Sequence, residues 1–125
     1  MCDLEDFLRR ASENRDFAGN HCLSNDNVWA VVVYGYSAIL LVNAIVKKHK
    51  WEPKNHEERW RFLNDLAKRL PPLRKVRAPY NYIFPRCCEG RYRPNCVFTQ
   101  DEINEVQKAV NTIEKIIKPL VRARV

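Results

Sequence analysis

Nineteen consecutive residues, Val28 to Val46, carry no charge, and Lys47-Lys48 closes the run. Few folds can house such a stretch. Its length and its basic flank fit a membrane span. Tyr34, Tyr36, Ser37 and Asn43 lie inside it, however, and polar side chains are costly against lipid. A helix that is apolar all round is also what the centre of a helical bundle requires. The run is therefore read as a buried central helix, with no membrane contact expected.

The flanking segments supply partners for such a centre. Leu4, Phe7, Leu8 and Ala11 recur at helical spacing behind Asp3, Glu5 and Asp6, which suit the positive end of a helix dipole. That helix is expected to stop near Gly19-Asn20, and Ser24, Asn25, Asp26 and Asn27 offer N-caps for the next one. A third helix is expected from His56 to Leu70, capped by Asn55, with Trp60, Leu63, Leu66, Ala67 and Leu70 inward and Pro71-Pro72 as its stop. The last helix opens on a capping box, Thr99 to Glu102. Ile103, Val106, Val110, Ile113, Ile117 and Leu120 then form a heptad-like seam, suited to a neighbouring helix or a second copy of the chain.

Residues 73–98 read differently. Pro79, Pro85 and Pro94 interrupt them and Gly90 marks a turn, so they are expected to form one long irregular loop. The predicted fold is all-α: one domain over 1–125, an up-and-down bundle of four to five helices with this loop before the last.

Of a net charge of +7, Arg69–Pro94 carries +6. Its bases interleave with aromatic rings. Arg74, Lys75, Arg77, Arg86, Arg91 and Arg93 are suited to phosphates, and Tyr80, Tyr82 and Tyr92 to stacking on unpaired bases. RNA or a nucleotide is the expected ligand. The alternative is that Tyr80, Tyr82 and Phe84 anchor the loop on the bundle, Phe84 first, and leave the arginines in water.

Catalytic and metal signatures are sparse. The five cysteines (Cys2, Cys22, Cys87, Cys88 and Cys96) contain no Cys-x-x-Cys pair, and the three histidines are scattered. No metal and no cofactor is expected. The odd cysteine count and acidic start favour a reducing, cytoplasmic setting. Arg15 and His21 stand six apart, a spacing at which an acid–base group and a phosphate-stabilising cation could cleave RNA without metal.

The chain from about 26 to 121 resembles the HEPN domains. The resemblance rests on Trp29–Tyr36 through Asn43–His49, on Asn55-His56-Glu57-Glu58, on Arg77-Ala-Pro-Tyr80, and on Phe98–Glu102 before the final helix. It implies a four- or five-helix bundle, a homodimer, and RNA- or nucleotide-related work. Many members are metal-independent ribonucleases of toxin–antitoxin or defence systems, some beside a nucleotidyltransferase partner. Those nucleases use an Arg-x4–6-His motif late in the domain. Here Arg77 and Arg86 have no histidine after them, and Tyr82 stands where one would follow Arg77. The expectation is a binding member, with a ribonuclease (Arg77 and Tyr82, or Arg15 and His21) or a non-catalytic partner-docking module as alternatives.

Overall fold

The computed structural model describes residues 4–22, 27–93 and 95–123, and the side chains of His21 and Cys22 lie outside that description. The proposed caps Ser24, Asn25 and Asp26 also fall outside it. Five α-helices follow one another: α1 (Leu4–Phe17), α2 (Asn27–Lys48), α3 (His56–Arg69), α4 (Arg74–Tyr92) and α5 (Gln100–Arg122). A π-helical turn, Ala18–Cys22, extends α1, and a 3-10 turn, Pro71–Leu73, joins α3 to α4. No strand occurs among the described residues.

The charge-free run forms α2, and α2 is the centre of the bundle. Helices α1, α4 and α5 all pack on it, and α3 more lightly. Two-thirds of its most apolar stretch (67%) is buried inside the bundle, so protein covers the surface a membrane would otherwise solvate. The polar residues in the run have partners or an outlet. Ser37 is fully buried and its hydroxyl donates to the Ala11 carbonyl at 2.7 Å, tying α2 to α1. Lys48, at the α2 C-terminus, donates to the Leu120 and Val121 carbonyls at 2.8 and 2.9 Å, and so satisfies the open end of α5.

The segment expected as a loop is the main correction. Residues 74–92 are helical, with Pro79 and Pro85 inside the helix. Leu73, Val76, Tyr80, Ile83, Cys87 and Gly90 step along one side at intervals of three and four, and the first five are buried. An interior proline costs about 3 kcal/mol. Burying side chains such as Leu73, Val76 and Ile83 contributes about 1.5–3 kcal/mol each, and Tyr80 adds a fully buried ring. Packing therefore outweighs the two missing N–H donors, and neither proline stands on the buried face. The crossing with α2 is close. A Cβ built on Gly35 would lie 2.3 Å from Cys87 Sγ and 2.4 Å from Cys87 Cβ, and one on Gly90 would lie 2.8 Å from Val32 Cγ2. Glycine at these two places lets the helices meet.

The other helices begin and end within a few residues of the expected positions, and on α3 Leu63, Leu66 and Ala67 are buried while Trp60 and Leu70 are half-buried. The box at α5 is complete: Glu102 N–H donates to Thr99 Oγ1 at 3.1 Å and Thr99 N–H to Glu102 Oε1 at 3.1 Å. Ile103, Val106, Val110, Ile113 and Ile117 are buried in the bundle, while Leu120 is half-buried. Asn55 caps α3 by accepting from Glu58 N–H at 2.9 Å. After α2, Lys50 takes the left-handed conformation (φ 69°), and the Lys50 and Trp51 N–H groups donate back to Lys47 and Val46 carbonyls. This turn sends the chain back along the bundle before α3 begins.

Candidate nucleic-acid interface

Helix α4 opens on Arg74, Lys75 and Arg77, with no acid in its first turn. Helices α1, α3 and α5 each place acids there. Cations at the positive end of a helix dipole oppose it, at a cost of about 0.3–1 kcal/mol each. The same placement concentrates positive potential, because the dipole and the side chains add. All three residues are exposed. Arg74 Nε donates to the Ala67 carbonyl at 3.2 Å and Arg77 Nη1 reaches Asn64 Oδ1 at 3.4 Å, both on α3.

A second basic group lies at the other end of α4. Arg91 sits 5.3 Å from the Tyr36 ring centre and 4.9 Å from that of Tyr92, and Tyr92 is 69% exposed. Arg93 follows, also exposed. From Arg74 to Tyr92 the helix spans about 27 Å. Among the described residues none of Arg74, Lys75, Arg77, Arg91 and Arg93 is ion-paired with a carboxylate. Arg86 differs. Its guanidinium lies 3.6 Å from the Tyr82 ring centre, its Nε 3.3 Å from Glu102, and its Nη1 donates to the Tyr82 carbonyl at 2.9 Å. It serves to tie α4 to α5.

The aromatic residues divide as well. Tyr80 is fully buried, so it cannot stack on a base in this arrangement. Tyr82 is half-buried beside α5, lining a cleft with Pro79, Glu105 and Lys108. Tyr92 is the ring of the three that faces outward. Arg77 on the α3 side and Tyr82 on the α5 side are therefore not brought together. The Arg15 guanidinium is bound to Glu114 of α5, with Asp16 at 3.3 Å, which makes it a bundle tie.

A group outside the sequence expectations gathers around His56, the first residue of α3. Its ring stacks on Phe84 at 3.4 Å and 4°, and its Nδ1 lies 3.5 Å from the Tyr80 hydroxyl. Arg59 acts on that hydroxyl by charge and hydrogen bonding, and its Nε donates to Asn43 Oδ1 at 2.8 Å. Burial, then the Arg59 charge, holds the His56 imidazole below its usual pKa. Burial likewise raises the Tyr80 phenol. The pattern Glu-Glu after a capped His gave no sign of these partners, since Tyr80 and Phe84 come from α4 and Asn43 from α2.

The Cys87 thiol is packed away. Burial, then neighbouring Cys88, pushes Cys87 up to about 11, so it stays protonated against Gly35. Cys88 and Cys96 are free and half-buried. Among the described residues no three His, Cys, Asp or Glu side chains gather as a metal site.

The HEPN domain family matches residues 4–123. The chain belongs to the HEPN domain family. The match includes α1, beyond the 26–121 span over which the residues themselves carry the likeness. No curated protein and no solved structure matches the chain. A HEPN domain points to nucleotide- or RNA-related work, nucleases included.

Proposed function

We infer that this HEPN domain binds single-stranded RNA along the outer edge of α4. The observation that carries the reading is the basic first turn of α4, set against the helix dipole and without carboxylate partners. Phosphates there meet Arg74, Lys75 and Arg77, and Arg91 and Arg93 engage the strand further on. Tyr92 offers an exposed ring on which a base can stack. The test is fluorescence anisotropy with a short labelled RNA. Replacing Arg74, Arg77, Arg91 and Arg93 together by Ala should weaken binding about 100-fold or more at low salt. Equal binding by this variant would end the reading.

A second reading has an observation of its own. His56 and Arg59 both act on the Tyr80 hydroxyl, which sets an imidazole held below its usual pKa in one group with a guanidinium, a combination that metal-independent RNA cleavage can use. If the protein cuts RNA in EDTA, His56→Ala should abolish cutting while leaving RNA binding in place. Absence of cleavage at high protein concentration removes this reading and leaves the first untouched.

A further inference from the structure

A charge-free helix at the centre of a bundle needs cover on every side, and α2 has full cover on three. Ser37 bonds to Ala11 on the α1 side, and Gly35 lies against Cys87 on the α4 side. Helix α5 packs on α2 as well. At about 100° per residue, Trp29, Tyr36, Leu40, Asn43 and Lys47 fall on one line of α2, between the α1 and α4 sides. Helix α3 covers only the far end of this line. It meets Asn43 through Arg59 at 2.8 Å and runs from there towards the turn after α2, where Arg69 stands 5.5 Å from the Trp51 ring centre. From Trp29 to Leu40, about 17 Å of helix, the line stays partly open. Trp29 is 46% exposed, and Tyr36 and Leu40 are half-buried.

Contact with water alone does not explain such a strip. The outward faces of α1, α3 and α5 are charged: Arg9 with Asp6 and Glu13, then Arg61 and Lys68, then Asp101, Glu105, Lys108 and Lys115. The open line of α2 carries no charge before Lys47. Its borders do, and with one sign. Lys47 lies over the Phe7 ring, which marks the side of α1 that faces this line, and Arg10 follows Phe7 by one turn. Arg59 stands at the α3 end, and Arg91 of α4 lies 5.3 Å from the Tyr36 ring centre. Among the described residues none of Arg10, Arg59 and Arg91 is ion-paired with a carboxylate. An apolar strip bordered by such cations is complementary to a helix with an apolar stripe and acids at its edges. A second copy of this chain fits less well, because a two-fold contact through this face would set the basic border against itself.

We propose that the open line of α2, from Trp29 to Leu40, is the docking site for an acidic amphipathic helix of another protein. Its apolar side chains lie on Trp29, Tyr36 and Leu40, its carboxylates meet Arg10 and Arg91, and it completes the fourth side of the bundle. The site shares Arg91 with the α4 edge and otherwise stands without it.

The test is fluorescence anisotropy of the intact chain with two labelled synthetic peptides of about four helical turns. Both carry leucines at spacings of three and four, flanked in one by glutamates and in the other by lysines. The glutamate peptide should bind with Kd below about 100 μM, and the lysine peptide about tenfold more weakly or worse. Arg10→Glu, an exposed change that should fold as the parent does, should weaken the glutamate peptide about tenfold and strengthen the lysine one. Leu40→Gln should weaken the glutamate peptide about tenfold and leave RNA affinity unchanged. Replacing Arg74 and Arg77 by Ala should leave peptide binding unchanged, so this proposal and the α4 reading fail separately. Sedimentation equilibrium and phosphatidylglycerol vesicles address other occupants of the face. A dimer that Leu40→Gln dissociates, or vesicle or RNA binding that it abolishes, would overturn the proposal. So would no binding of the glutamate peptide, or equal binding of the two peptides.

Discussion

Helices α4 and α5 lie side by side on α2, yet only one announces itself. Helix α5 has a complete capping box, acids in its first turn and a seam of isoleucine and valine. Helix α4 has no side-chain cap, bases where acids belong, and two interior prolines. Its buried side keeps the same three-and-four rhythm, written in Leu73, Val76, Tyr80, Ile83, Cys87 and Gly90. The difference is in what stabilises each. Helix α5 carries its own local signals, while α4 is held by what it packs against. A helix held from inside is free to carry an unfavourable outer face, and that face is where α4 gathers its unpaired arginines.

The largest test of this contrast is Tyr80→Ala. If α4 depends on its inward side, losing this fully buried ring should cost about 3–5 kcal/mol in chemical denaturation. An effect on RNA binding with stability unchanged would mean that Tyr80 faces outward after all. Pro85→Ala works in the opposite direction. Pro85 is exposed, and an N–H there can restore a bond to the Asn81 carbonyl, so the variant should gain up to about 3 kcal/mol. In a loop the same change would be neutral or harmful.

Gly35→Ala probes the crossing itself. Its new Cβ meets Cys87 Cβ at 2.4 Å as well as the sulfur, so a loss of about 1–3 kcal/mol is expected, and Cys87→Ala should not rescue it. A neutral result would show that the helices stand further apart. Thr99→Ala addresses the partner helix. Removing the cap of α5 should cost about 1 kcal/mol in thermal melting, with α4 unaffected. A much larger loss would mean that α5 also lacks local support.

The sequence made α2 and α5 legible for physical reasons. A charge-free run with polar residues inside it needs protein to cover it, and a capping box is a local device that needs nothing from afar. The helix in 74–92 was hidden because Pro79 and Pro85 are the loudest local signals there, although the alternative that Tyr80 anchors this segment is the one its burial bears out. The charge of the site was visible, but its division was not: Arg86 differs from Arg91 only through Glu102 and Tyr82, which helical geometry brings to it. Likewise His56 gained its meaning from Phe84, Tyr80 and Arg59, and Asn43 gained its own from Arg59. Contacts between distant elements cannot be read from spacing.

The most direct measurement is the salt dependence of RNA affinity for the parent chain and for two variants. For single strands, log K falls with log salt by about 0.7 per phosphate contact. Removing Arg74, Arg77, Arg91 and Arg93 should flatten that slope by nearly 3, whereas Arg86→Ala, which removes a cation already bound to Glu102, should leave it almost unchanged. Equal slopes for the parent and the fourfold variant, or a steeper loss from Arg86→Ala alone, would contradict α4 as the RNA-binding edge.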